Sequence, residues 1–118
     1  MAEQYNNLKM YIFVNDDLNI GVGYLAAQAC HVTHLIVKEL MINGNEIYPP
    51  SQEYINFVKW DKNCTKVILR ARGEQLLELM KLPYARGFYD SGKFTALTAV
   101  GLFPSTETPE IVNKCKLL

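Results

Sequence analysis

Apolar residues along this chain recur at two periods, and the changes between them mark out its elements. Leu25, Ala29, Val32, Ile36 and Leu40 recur at steps of three and four with no Pro or Gly between them. That spacing predicts a long helix with one buried stripe. Gln28 and His31, three apart, share a neighbouring face of it. Upstream, Met10-Tyr-Ile-Phe-Val14 is a continuous apolar run of β-formers and predicts a buried strand over Met10–Asn15. Asn15-Asp-Asp-Leu-Asn19 is a polar loop, Gly21 and Gly23 open the helix, and Asn43-Gly44-Asn45 stops it after about Met41.

The rest of the chain repeats the alternation in shorter pieces. Pro49-Pro50 forbids a helix there, and Ser51 is a plausible N-cap for a short helix, Gln52–Lys59. Lys66–Ala71 reads as a second buried strand, and Glu74–Lys81 as a helix ended by Leu82-Pro83. Arg86–Tyr89 is a short third strand, Asp90-Ser-Gly-Lys93 a turn by composition, and Thr95–Leu102 a fourth strand. Gly101 within that strand suggests a bend or a close backbone approach. Thr108 and Pro109 suit the N-cap and first position of a last short helix reaching Lys114.

Helices alternating with apolar strands make this an α/β chain. The expected architecture is a four-stranded mixed β-sheet flanked by helices on both faces, a three-layer sandwich, in one domain spanning residues 1–118. The first three strands can run parallel through right-handed crossovers, and the fourth returns antiparallel after a tight turn.

Composition narrows the function by exclusion. No apolar run approaches 18 residues, and MAEQYNNLK lacks the apolar segment of a signal peptide, so no membrane span and a cytoplasmic location are expected. Cys30, Cys64 and Cys115 are odd in number and far apart, which argues against a disulfide framework or a zinc knuckle. His31 and His34 alone are too few for zinc, so no metal site is expected. Formal net charge is zero but uneven. Residues 1–64 carry four lysines against seven carboxylates, and residues 65–118 carry eight Lys and Arg against five. The second half can therefore present a local basic patch, which is what phosphate contact requires.

Two turns carry candidate chemistry. Gly21-Val-Gly-Tyr-Leu-Ala26 matches G-x-G-x-x-A on paper. It lies several residues past its strand, however, and Glu39, the nearest acid at the required distance, falls inside the helix, so dinucleotide binding is discounted. Its bland alternative is a tight opening turn for the helix. Asp90-Ser-Gly-Lys93 follows the third strand, and its bland alternative is a solvated turn. In α/β sheets ligands gather beyond the carboxyl ends of parallel strands, where both turns would lie. Asp90, Lys93, Gln28 and His31 would then face one cleft, where a carboxylate and an ammonium beside free N–H groups can activate water and hold an oxyanion.

Taken together, Asp17-Leu, Gly21-x-Gly23, Ala26-Ala-Gln28-x-x-His31, Tyr89-Asp90-Ser-Gly92, Ala99-Val-Gly101 and the terminal Lys116-Leu-Leu resemble the archaeal and eukaryotic type of peptidyl-tRNA hydrolase, from about Lys9 onward. The resemblance implies a four-stranded mixed sheet flanked by helices, a homodimer, no cofactor, and hydrolysis of the ester joining a peptide to the tRNA 3′ end. It attributes activity to a lysine in the glycine turn, an aspartate after the third strand and threonines beyond it. Asp90 matches the aspartate, and Lys93 stands at a position usually basic. Val22 and Tyr24 replace the two lysines of the family's G-K-G-K turn, Phe94 replaces a threonine, and the following loop is several residues shorter.

The expected site thus has Asp90 and Lys93 as catalytic groups. Gly21, Gly23, Gln28, His31, Thr95 and Thr98 would hold the substrate, with tRNA lying along Arg70, Arg72 and Arg86. The alternative is a catalytically silent homologue that binds tRNA or a protein partner.

Overall fold

The computed structural model describes residues 7–44 and 48–118. Its central strand is β1 (Met10–Asn15), buried at all six positions because strands flank it on both sides and helices cover both faces. A 3-10 turn, Asp16–Leu18, leads to α1 (Val22–Gly44). Then follow α2 (Gln52–Trp60), β2 (Lys66–Ala71), α3 (Gly73–Leu79), β3 (Ala85–Asp90) and β4 (Ala96–Leu102). A second 3-10 turn, Glu110–Lys114, leads to β5 (Lys116–Leu117).

The sheet order is β3-β4-β1-β2-β5. β1 pairs parallel with β2 and antiparallel with β4, and β4 pairs antiparallel with β3. The first three strands therefore share a direction, and the fourth is the returning one. The sheet has five strands rather than the expected four. β5 is two residues long and joins the edge through Leu69↔Leu117 and Arg70↔Lys116. So short a segment carries no hydrophobic period; only its pairing with β2 makes it a strand.

One face of β1 sends Met10, Ile12 and Val14 into a core with Leu25, Ala29, Val32, Ile36 and Leu40 of α1 and Phe57 and Trp60 of α2. The other sends Tyr11 and Phe13 toward Leu76 and Leu79 of α3, with Ile111 and Val112 packed at its margin. Fully burying a Leu, Ile or Val side chain contributes about 1.5–3 kcal/mol, so the α1 stripe is the main attachment of that helix. Gly101 serves the close approach: a Cβ there would stand 2.7 Å from the Ile36 side chain.

α1 runs past Met41 to Gly44, which is buried against the Tyr54 ring. Asn45 of the expected stop and part of the following loop lie outside the described residues, as do residues 1–6. At the C-terminus Pro109 caps a 3-10 turn, while Thr108 bonds sideways to the Tyr11 hydroxyl at 3.1 Å. Among the described residues no helix is long and apolar enough to cross a membrane.

Candidate active site

β1 and β3 end at the same rim, and this brings the glycine-bearing turn to the acidic turn. Tyr24, in the first turn of α1, donates its hydroxyl to Asp90 Oδ2 at 3.1 Å. The backbone N–H of Phe94 donates to the same oxygen, also at 3.1 Å. The Phe94 N–H, the Tyr24 hydroxyl and the N–H groups of Gly92 and Lys93 favour the charged carboxylate and outweigh its partial burial. Asp90 is thus held below the usual carboxylate range. Tyr24 shifts the other way, because loss of water and the bond to the Asp90 charge both favour its neutral form. It therefore stays a donor at neutral pH.

Lys93 lies over the same aromatic pair, its Nζ 5.8 Å from the Tyr24 ring centre and 5.5 Å from that of Phe94. The two rings meet edge to face at 5.4 Å. No ion pair joins Lys93 to a carboxylate among the described residues. Its ammonium rests against the two rings at the mouth of the turn. His31, exposed on α1, stacks on Phe88 of β3 at 4.7 Å, two residues before Asp90. Thr95 is exposed beyond Phe94, with φ of 48°.

Gly21 and Gly23 are exposed, have no positive φ, and would have no atom within 4 Å of an added Cβ. Neither the fold nor a tight turn requires glycine there; the effect is an open approach to the start of α1.

Gln28 and Thr98 are placed differently from the expectation. They are 3% and 0% exposed, and the Thr98 hydroxyl donates to Gln28 Oε1 at 2.6 Å. The pair ties α1 to β4 inside the protein and reaches no solvent-facing site. The arginines are also engaged. Arg86 forms a two-pronged pair with Glu39, both bonds at 2.7 Å, and stacks on Phe103. Arg70 pairs with Asp16 and Arg72 with Glu74, each at 3.0 Å. Arg86 thereby joins β3 to α1.

Sequence reasoning missed Tyr24 as a site residue. Its position one turn before Gln28 was visible, but its partner lies 66 residues away. It missed Asn15 and Asp17 as builders of the rim as well. Asn15 is buried, accepts from the Asp17 N–H and donates to the Leu97 carbonyl, while Asp17 Oδ2 accepts from the Gly73 N–H and closes the start of α3. Among the described residues no three His, Cys, Asp or Glu side chains gather to hold a metal.

The family model of peptidyl-tRNA hydrolase PTH2 matches residues 8–88. The chain belongs to the peptidyl-tRNA hydrolase family. A peptidyl-tRNA hydrolase of Methanococcus vannielii is 30% identical over 120 residues, covering 91% of this chain and 96% of that protein. The family-model match runs from the start of β1 into β3 and stops two residues before Asp90.

Proposed function

We propose that this chain hydrolyses the ester of peptidyl-tRNA at the Asp90 turn, releasing free tRNA and peptide. Membership of the family supports the reaction. The observation that supports the site is the meeting of Tyr24 and Asp90 at an open rim, with Lys93 beside them. Tyr24 and the Phe94 N–H hold Oδ2, and the N–H groups of Gly92 and Lys93 add to them, so the carboxylate is fixed at the rim where an attacking water would meet it. A carboxylate with a depressed pKa is a weak base, so it orients the water and takes its proton only as the new C–O bond forms. The tetrahedral oxyanion is held by the Lys93 ammonium and by the free N–H groups opening α1. Collapse breaks the bond to the ribose oxygen, which leaves with the proton from Asp90. Gly21 and Gly23 keep the approach to those N–H groups clear, and His31 and Thr95 border it. Gln28 and Thr98 act by holding α1 against β4, not by touching substrate.

Cytoplasmic residence follows from a substrate made by translation, and the homodimer is carried by the family resemblance. The test is release of free tRNA from purified peptidyl-tRNA. Turnover that collapses on Asp90→Asn supports the reading. Turnover that survives it moves the chemistry elsewhere, and tRNA binding without turnover selects the silent homologue.

A further inference from the structure

A second charged cluster lies across the sheet from Asp90 on the same rim. β5 pairs antiparallel with β2 so that Lys116 stands directly opposite Arg70. Side chains so paired project to one face, and like charges there repel. Arg72, from the β2–α3 junction, and Lys114, from the last 3-10 turn, join them around a groove of about 350 Å³. Asp16 is the single carboxylate among its lining residues, against four cations. Asp16 takes one arm of Arg70, and Glu74 takes Arg72 from outside the groove. Lys114 and Lys116 have no carboxylate within 4.0 Å among the described residues. The groove therefore keeps an unneutralised positive charge from two ammonium groups beside two guanidinium forks.

The register fixes where this groove lies relative to the site. Arg70 is level with Val14, Val14 with Ala99, and Ala99 with Phe88. Three strand spacings separate Arg70 from Phe88, or about 15 Å. Val14 and Ala99 face α1, so Arg70 and Lys116 project toward that side, from which Tyr24 reaches Asp90, while Ala71, Gln75 and Cys115 close the groove from the α3 side, so that it opens at the rim between the two faces.

We propose that this groove binds the phosphodiester backbone of the substrate RNA a few nucleotides inward of the 3′ end held at Asp90. The proposal rests on the hydrolase reading for its choice of RNA. Lysine ammonium groups answer phosphate as point charges, and arginine forks answer its paired oxygens. A bound backbone would relieve the Arg70–Lys116 repulsion that β5 pairing creates.

The experiment compares the full chain with the exposed-site variant Lys114→Gln/Lys116→Gln, checked for unchanged melting temperature. Binding of deacylated tRNA is titrated over a range of salt, and hydrolysis is measured on peptidyl-tRNA and on a short N-acylaminoacyl-adenosine. The variant is expected to bind tRNA at least tenfold more weakly at low salt. Its slope of log affinity against log salt should shrink by about two, roughly one for each lost phosphate contact. KM for peptidyl-tRNA should rise with kcat unchanged, and the short substrate should be cleaved equally by both proteins. Unchanged affinity and slope, with wild-type turnover intact, would overturn the groove and leave the hydrolase reading standing. Weakened binding by the variant, where wild-type protein shows no turnover, would keep the groove and remove the hydrolase reading.

Discussion

Two hydroxyl–oxygen pairs hang from α1 one helical turn apart, and they have opposite fates. At position 24 the Tyr24 hydroxyl meets Asp90 Oδ2 at 3.1 Å on an open rim. At position 28 the Thr98 hydroxyl meets Gln28 Oε1 at 2.6 Å inside the protein. Both join α1 to the β3–β4 hairpin. The inner pair is neutral and sealed, so its bond fixes how α1 sits on the sheet. The outer pair carries a charge, and its carboxylate keeps one oxygen clear of the Tyr24 and Phe94 donors. A sealed polar pair can only hold, whereas an open charged one can bind and react. The inner pair sets the distance across which the outer one works.

Substitutions separate the two pairs. The largest effect is expected from Asp90→Asn, which keeps the shape and removes the base. Its kcat should fall about 10²–10³-fold, as for loss of a general base, while its melting temperature at neutral pH falls only modestly, because the amide oxygen still accepts from Tyr24 and Phe94 and only the charge-assisted part of those bonds is lost. Comparable loss of kcat and of folded protein would merge the two pairs into one structural unit.

Next comes Thr98→Val, which leaves Gln28 Oε1 buried without its donor. Stability should drop by about 1–3 kcal/mol, read from urea midpoints, with kcat per folded molecule within a few-fold of wild type. A kcat collapse without a change in stability would put Thr98 in the chemistry after all.

Tyr24→Phe should act in the reverse sense, lowering kcat by about tenfold, the worth of one modest hydrogen bond in the transition state. Its clearer signature is in pH. Native donors hold the Asp90 carboxyl below its ordinary range, and Tyr24 is one of them. Because the unfolded chain binds that proton more tightly, Asp90 adds stability above the ordinary carboxylate pKa. That contribution fades as pH falls through the native value. Removing the Tyr24 hydroxyl raises the native value, so the acid limb of kcat/KM should move to higher pH. An unmoved limb would mean that the Tyr24 bond does not tune the carboxylate.

The smallest effect is expected from Gly23→Ala. Nothing would meet the new methyl group, and alanine in a helix is favoured over glycine by about 0.5–1 kcal/mol. A gain in melting temperature together with a rise in KM would show that the glycine is kept for the substrate. A gain with KM unchanged would make it incidental.

Local pattern made most of the framework legible. The α1 stripe, the apolar run of β1, the Ser51 cap and the returning β4 hairpin each follow from forces acting within a few residues. Asp90 was legible as a candidate because a charged turn after a strand is a local feature. Its partner was not, since Tyr24 and Asp90 meet only when β1 and β3 are held in one sheet.

Hydrophobic period, caps and turn chemistry decided which segments become helix or strand and which turns carry charge, because those terms depend on neighbours along the chain. Tertiary packing decided that Gln28 and Thr98 are spent on each other, that Arg86 belongs to Glu39, and that β5 brings Lys116 opposite Arg70. A polar side chain is spent or free according to what lies within about 3 Å of it, and that neighbour comes from a distant part of the chain.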